Sequence, residues 1–404
     1  MSSTVTTQVP KNQPRIGTLV TLFLAPAFIF ANMYTTQAIL PTLSQDFHVS
    51  APTAGLTVSV LVLSVAIGSL FYGPLSDIVG RKPVMVWASF LVAIPTLLCG
   101  FAPNFATLVV LRALQGLLMP GLTSVAIPYV NEEFEGRGRG LAMGIYASGL
   151  VLGGLFARVG SASLTGVYNW HIALLAFVLP TLLAAVFMWI YLPETYSKQS
   201  VPKVALIQGE AKASFLRQTL QDMSMHFHNR RLVGAFIIGS CSFFGFVGVF
   251  TFLPYYLTGP QFHLPPIDLS LVYLLWLTGI GSPIAGTIAG RIGARLTIAY
   301  SIGCAVVGLL ITLIPILPIT MAGLSLLTLG MFSILPSANL YVGELSTKAK
   351  GTAASMYLSF YYLGGSIGAV APGFAFIDAG WTGVVLLCIG MMLLALAADA
   401  ILCR

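Results

Sequence analysis

An all-α membrane protein with twelve spanning helices is the fold class this sequence predicts, and three observations predict it. Of 404 residues, 57% are hydrophobic and 8% charged, and the mean hydropathy is +0.92. Soluble domains carry about a quarter charged residues. The apolar residues gather in runs of about 20 or more, the length a helix needs to cross the hydrocarbon core. These runs lack the alternation of apolar and polar residues that membrane barrel strands show.

Taken in order, residues 1–16 are polar and are expected to form a cytoplasmic tail. Six spans follow near 17–40, 52–75, 83–102, 105–128, 139–162 and 170–192. The first is longer than the apolar core of a typical cleaved signal peptide, so it reads as a retained helix. Together they make a first bundle over 17–192. The stretch 193–231 holds much of the chain's polar material and reads as a cytoplasmic linker, with an amphipathic helix expected around 204–223. Six more spans lie near 232–257, 267–290, 295–314, 317–342, 351–376 and 380–402, and make a second bundle over 232–404.

Lys and Arg gather on the cytoplasmic side of membrane proteins. With both termini in the cytoplasm, every basic residue except Arg112 and Arg158 falls on that side. The net charge of +7 therefore marks an orientation in the lipid bilayer and needs no nucleic-acid partner. The five cysteines form no CxxC pair, and His226 and His228 lack a third ligand, so neither a metal nor another cofactor is expected.

The two halves repeat each other. Gly73, Gly80 and Lys82 align with Gly286, Gly293 and Arg295 at an offset of 213. Glu133, Arg139, Gly140, Tyr146, Gly153 and Gly154 align with Glu344, Lys350, Gly351, Tyr357, Gly364 and Gly365 at an offset of 211. Parallel repeats about an axis along the membrane normal are one way secondary transporters are built.

These segments resemble the major facilitator superfamily over essentially the whole length. "GPLSDIVGRK" resembles its loop 2–3 signature through Gly73, Asp77, Gly80, Arg81 and Lys82, with Ile78 where a basic residue is common. "LRALQG" resembles the helix-four signature around a buried arginine, here Arg112. "GLAMGIYASGLVLGGLFAR" resembles the helix-five signature of antiporters. Gly140, Gly149 and Gly153 keep its spacing, but Gly154 stands where proline is usual and Arg158 where glycine is usual.

The resemblance implies two six-helix bundles rocking about a central site in a bacterial inner membrane, acting as a monomer. It also implies export of a small organic molecule, a drug or sugar, against protons. An uncoupled facilitator or a carrier of an anionic or polar solute is the alternative. A membrane-embedded enzyme or sensor is remoter, since no HExxH, nucleophile elbow or paired intramembrane carboxylate is present.

An intramembrane charge marks a functional site by default. Arg112 is thus the first candidate for solute contact, with Asn32, Tyr34 and Gln37 of helix one at similar depth and Gln115 as a neighbour. Tyr146 joins them from helix five. The second half offers Ser240, Phe243, Tyr273, Trp276, Tyr357 and Tyr361 as an aromatic and small-polar lining. Arg158 is expected to snorkel or to pair with Asp46. The resemblance implies that the Asp77 cluster latches the halves together in the outward-facing state. No carboxylate stands plainly at mid-membrane, which leaves Asp46 and Asp77 as candidates for proton coupling.

Overall fold

The computed structural model of the chain describes residues 15–194, 221, 223–281, 291–346 and 350–403. The tail up to residue 14, most of the helix expected around 204–223, the repeat glycines Gly286 and Gly290, and Lys348 lie outside the described residues.

Among the described residues, ten helices are long and apolar enough to cross a membrane. In chain order they and two further apolar helices are α1 Ile16–Asp46, α2 Ala51–Val79, α3 Arg81–Cys99, α4 Phe105–Glu133, α5 Gly138–Val167 and α6 Trp170–Tyr191. The second half holds α7 Arg230–Thr258, α8 Pro266–Gly279, α9 Ala294–Ile311, α10 Leu317–Leu345, α11 Lys350–Gly368 and α12 Ala371–Leu402. Large apolar side chains such as Phe71, Trp87, Ile94, Val110, Trp189, Leu310 and Leu386 point outward. Water would penalise that surface, and lipid does not.

Two helices break where proline removes a backbone donor and its ring crowds the carbonyl four residues back. In α1 the α-helix stops at Tyr34, passes through a 3₁₀ turn over Gln37–Ile39 and resumes at Leu40, with Pro41 facing the Gln37 position. Past α11, Ala369 and Val370 leave the helix, and Pro372 stands four residues beyond Gly368. The helix that resumes at Ala371 turns at Gly380, whose backbone is non-helical (φ 60°, ψ −146°). The expected spans 351–376 and 380–402 are thus right about where the chain reverses, but they miss the break inside the first. The span expected over 267–290 differs too, since Tyr273–Gly281 winds as a 3₁₀ helix.

The repeat is visible in the packing. In the first half α1 packs on α5, α2 on α4, and α3 on α6; in the second α7 packs on α11, α8 on α10, and α9 on α12. Gly80 and Gly293, equivalent in the repeat, open α3 and α9 in the same left-handed extended conformation (φ 104° and 93°). That conformation explains why both turns carry glycine. Glycines on equivalent helices also set close helix approaches, Gly153 and Gly364 being equivalent in the repeat. A Cβ on Gly149 or Gly153 would strike the Phe23 or Ala27 carbonyl of α1, and one on Gly364 or Gly368 the Ser240 or Phe244 carbonyl of α7. Small residues permit this approach in membranes. Gly153→Val is therefore expected to push α1 off α5 and to lower the recovery of monodisperse protein in detergent several-fold. Recovery equal to the wild type would show that α1 yields without loss.

Across the halves, α2 meets α11 and α5 meets α8, two contacts that the repeat makes equivalent. They gather toward one face of the molecule. Ser59 Oγ lies 3.0 Å from Ser366 Oγ, Gly55 abuts the Ala369 carbonyl, and Gly166 sits against Pro266 and Ile267. Tyr255 donates to the Leu40 carbonyl at 3.1 Å. Near the other face, which carries Arg81, Lys82, Arg230 and Arg295, Gly73, Gly140, Gly144, Gly343 and Gly351 have nothing within 4 Å of a Cβ position. Among the described residues, these contacts between the bundles thus lie on the face away from the basic residues, while the glycines near the basic face look onto open space.

Candidate functional site

The break in α1 frees backbone carbonyls at Asn32 and Met33, and a buried free carbonyl needs a donor. Arg112 of α4 supplies it. Fully buried, it donates from Nη1 to Asn32 O (2.6 Å) and Gln115 Oε1 (2.9 Å), from Nη2 to Met33 O (2.9 Å) and from Nε to Thr57 O (3.0 Å). The surrounding side chains close the knot. Asn32 Nδ2 donates to Thr181 Oγ1 (2.9 Å), Gln115 Nε2 to Thr96 Oγ1 (2.9 Å), and Thr96 Oγ1 to Asn32 Oδ1 (3.1 Å). Asn32 and Arg112, the pair expected to meet the solute, bond to each other through the Asn32 carbonyl, and Arg112 holds α1, α2 and α4 together inside the first half.

What the bend presents is Tyr34 and Gln37, and these face a different arginine. Arg158 of α5 neither snorkels nor pairs with Asp46, contrary to expectation. It is fully buried, about 14 Å inside Val167 at ~1.5 Å per residue. Asp46 is held instead by the Trp170 indole N–H. The Arg158 guanidinium lies between the rings of Tyr34 (3.8 Å to the centroid) and Trp276 (3.7 Å), with Tyr273 and Phe250 at 5.7 and 5.8 Å. Its Nε donates to Gln37 Oε1 (2.9 Å), its Nη2 to the same oxygen, and its Nη1 to the Gly154 carbonyl (2.7 Å). None of these partners is a carboxylate. Gln37 in turn donates across the halves to Thr251 Oγ1 (2.9 Å) and to the Val247 carbonyl (3.4 Å). Tyr34, Gln37 and Arg158 belong to the first half; Trp276, Tyr273, Phe250 and Thr251 belong to the second.

An arginine at this depth replaces the glycine usual in the helix-five signature, and cation–π contact compensates part of its desolvation, about 2 kcal/mol or more for a desolvated pair. Gly154 makes room for the Trp276 ring, which a Cβ there would meet at 2.6 Å. Gly154 and Arg158, a small residue and a cation four positions apart, together seat an indole from the other half.

The remaining candidates fall into separate groups. Phe243 stacks on Tyr361 (3.9 Å between centroids), which neighbours Tyr357 (6.1 Å), and Phe246 links this group to Trp276 (5.2 Å). Tyr146 donates to the Thr123 carbonyl (3.2 Å) within the first half, and Ser240 packs against Gly364. At the basic face Arg81 Nη2 lies 2.6 Å from Asp77 Oδ1 and 2.8 Å from Glu132 Oε1, tying α2, α3 and α4 of one half. Lys82 stands beside them, and Gly73 faces open space. Arg295 pairs with Asp399 at 2.9 Å in the second half.

Sequence reasoning missed Thr57, Thr96, Thr181 and Thr251 as partners of the buried polar groups, and Phe246 and Phe250 around Trp276. Single threonines in apolar runs carry no pattern that separates a partner from a packing residue. Glu132 had only its place beside a basic loop to mark it.

A family model described as the Major Facilitator Superfamily matches residues 22–369. The chain is 32% identical over 400 residues to YybF, an uncharacterized MFS-type transporter of Bacillus subtilis (strain 168), covering 98% of this chain and 96% of that one. It is 35% identical to the inner membrane transport protein YnfM of Escherichia coli (strain K12), covering 90% and 85%. Its fold matches a bacterial homologue of the human lysosomal transporter Spinster, solved inward-facing and occupied, with a TM-score of 0.74 at 15% identity over 97% and 96% of the two chains. It also matches the nucleoside transporter NupG, with a TM-score of 0.72 at 14% identity over 96% and 100%. The chain belongs to the Major Facilitator Superfamily and is a multi-pass membrane transporter, not an enzyme.

Proposed function

We propose that this transporter moves a small organic molecule out of a bacterial cell by alternating access, driven by inward proton flow across the inner membrane. The observation that carries the reading is the asymmetry of the inter-half contacts, which among the described residues gather toward the face away from the basic residues. With the basic face in the cytoplasm, as the charge distribution favours, both termini are cytoplasmic and the state described is open to the cell interior. The aromatic groups around Phe243, Tyr361 and Trp276 suit an amphipathic organic solute. One chain supplies both halves of the Arg158 cage, so a monomer suffices. Asp77 and Asp46 are the carboxylates to which we assign coupling, Asp77 through its pairing with Arg81.

A second reading, an uncoupled carrier of an anionic or polar solute, is favoured by one observation. Asp46 is engaged by Trp170 and Asp77 by Arg81, both away from Arg158. Proteoliposomes loaded with a pH-sensitive dye separate the two. Cationic dyes, sugars and organic anions are added in turn, and solute movement and internal pH are followed together. Proton movement with one class, slowed about tenfold in Asp77→Asn with insertion unchanged, is the expected result. Solute movement without a pH change supports the second reading, and no movement of any class overturns both.

A further inference from the structure

The surroundings of Arg158 are rich in donors and poor in acceptors. Arginine carries five N–H groups and no acceptor. Gln37 Oε1 takes one from Nε and one from Nη2, the Gly154 carbonyl takes one from Nη1, and the neutral Tyr34 hydroxyl is a further partner. Within the same cage the Trp276 indole N–H and the Tyr273 hydroxyl are buried and have no hydrogen-bond partner among the described residues. Buried polar groups are otherwise almost always paired, because an unpaired one is costly. A cation–π staple between the halves accounts for the Tyr34–Arg158–Trp276 sandwich. It does not account for an indole N–H and a phenol left without acceptors next to a guanidinium that has no counter-charge. What the cage lacks is an acceptor with negative charge.

Resting on the transport reading above, we propose that Arg158, Tyr273 and Trp276 bind the oxyanion, a carboxylate or phosphate, of the transported solute. The oxyanion takes the place of Gln37 Oε1 on the guanidinium fork, whose planar geometry matches such groups. Gln37 also bonds Thr251 and the Val247 carbonyl of the other half. Displacing it therefore removes contacts that close the sealed face, and binding and unsealing become one event. The aromatic rings around the fork receive the apolar body of the solute.

The test measures binding by thermal shift and intrinsic tryptophan fluorescence in detergent, and uptake in proteoliposomes, with one panel of membrane-impermeant solutes. The panel holds aromatic and aliphatic dicarboxylates, hexose phosphates, neutral sugars and quaternary ammonium compounds. Binding and uptake confined to the oxyanion-bearing members are expected, and the carboxylate and phosphate arms distinguish the two head groups. For the solute that binds, Arg158→Gln weakens affinity at least tenfold and Arg158→Lys less. Gln37→Glu places a carboxylate on Arg158 from within the chain, and so is expected to compete with the solute and weaken it at least tenfold while retaining or raising thermal stability. That variant keeps the proposal testable if Arg158→Gln does not fold. Wild-type affinity for an oxyanion in Gln37→Glu would overturn the proposal. Uptake of sugars or quaternary ammonium compounds but no oxyanion would overturn it while leaving the transport reading intact. No uptake of any member, under gradients of either sign, would remove the transport reading and this proposal with it.

Discussion

Arg112→Ala is expected to destabilise the protein by about 3 kcal/mol or more, seen as a fall of at least about 3–4 °C in the unfolding midpoint in detergent. The substitution strips donors from the Asn32, Met33 and Thr57 carbonyls and from Gln115, all buried in the first half. Backbone groups within a membrane must be satisfied by the protein itself, so losing these donors is costly. Arg112→Lys is expected to recover only part of the loss, because an ammonium presents no fork and cannot reach α1, α2 and Gln115 together. An unfolding midpoint within a degree or two of the wild type, with solute affinity lost, would instead make Arg112 a solute contact of the kind the sequence first points to. The knot also sets the bend that presents Tyr34 and Gln37 to Arg158. Damage at Arg112 is therefore expected to reach the cage without any direct contact between the two arginines.

A second large effect is expected from locking the sealed face. Ser59 on α2 and Ser366 on α11 lie with their hydroxyl oxygens 3.0 Å apart, close enough for a disulfide between cysteines at these positions after small adjustments. In a background with Cys99, Cys241, Cys304, Cys388 and Cys403 replaced, oxidation of Ser59→Cys/Ser366→Cys is expected to stop turnover almost completely. Reduction should restore it. The same cross-link should leave solute binding from the basic face measurable, because that side is untouched. Turnover that continues at the wild-type rate with the link fully formed would mean that α2 and α11 need not separate, and the alternating-access reading would fall. The reciprocal pair of helices, α5 and α8, is expected to part in the same motion, since the repeat makes the two contacts equivalent.

The charge cluster around Asp77 illustrates how local and tertiary information divide. Gly80 was legible from the tight turn alone, and its left-handed backbone is repeated at Gly293. Asp77 and Arg81 sit at i and i+4 around that turn and meet at 2.6 Å, which the spacing by itself allows. Their third member, Glu132, is 51 positions from Arg81 and enters only when α4 packs beside α3. The latch across the halves remains a proposal for the other state of the cycle, because in this state the cluster binds within one half.

The sequence by itself determined the bilayer as solvent, the number and order of the spans, the division into two repeated halves and the positions where glycine is required. Each of these follows from composition, run length or a local backbone demand, which neighbours along the chain suffice to express. It also singled out Arg112 and Arg158 as the basic residues lying within the spans. Tertiary structure alone decided what each does, because their partners come from other helices and, for Arg158, from the other half of the chain. Arg112 found backbone carbonyls released by a proline-induced break, and a backbone carbonyl has no signature in sequence. Arg158 found two aromatic faces and a glutamine, brought together only where the bundles close. In a membrane core the cost of an unpaired charge is high enough to dictate that a partner exists, while the identity of that partner is set by the packing of helices far apart in sequence.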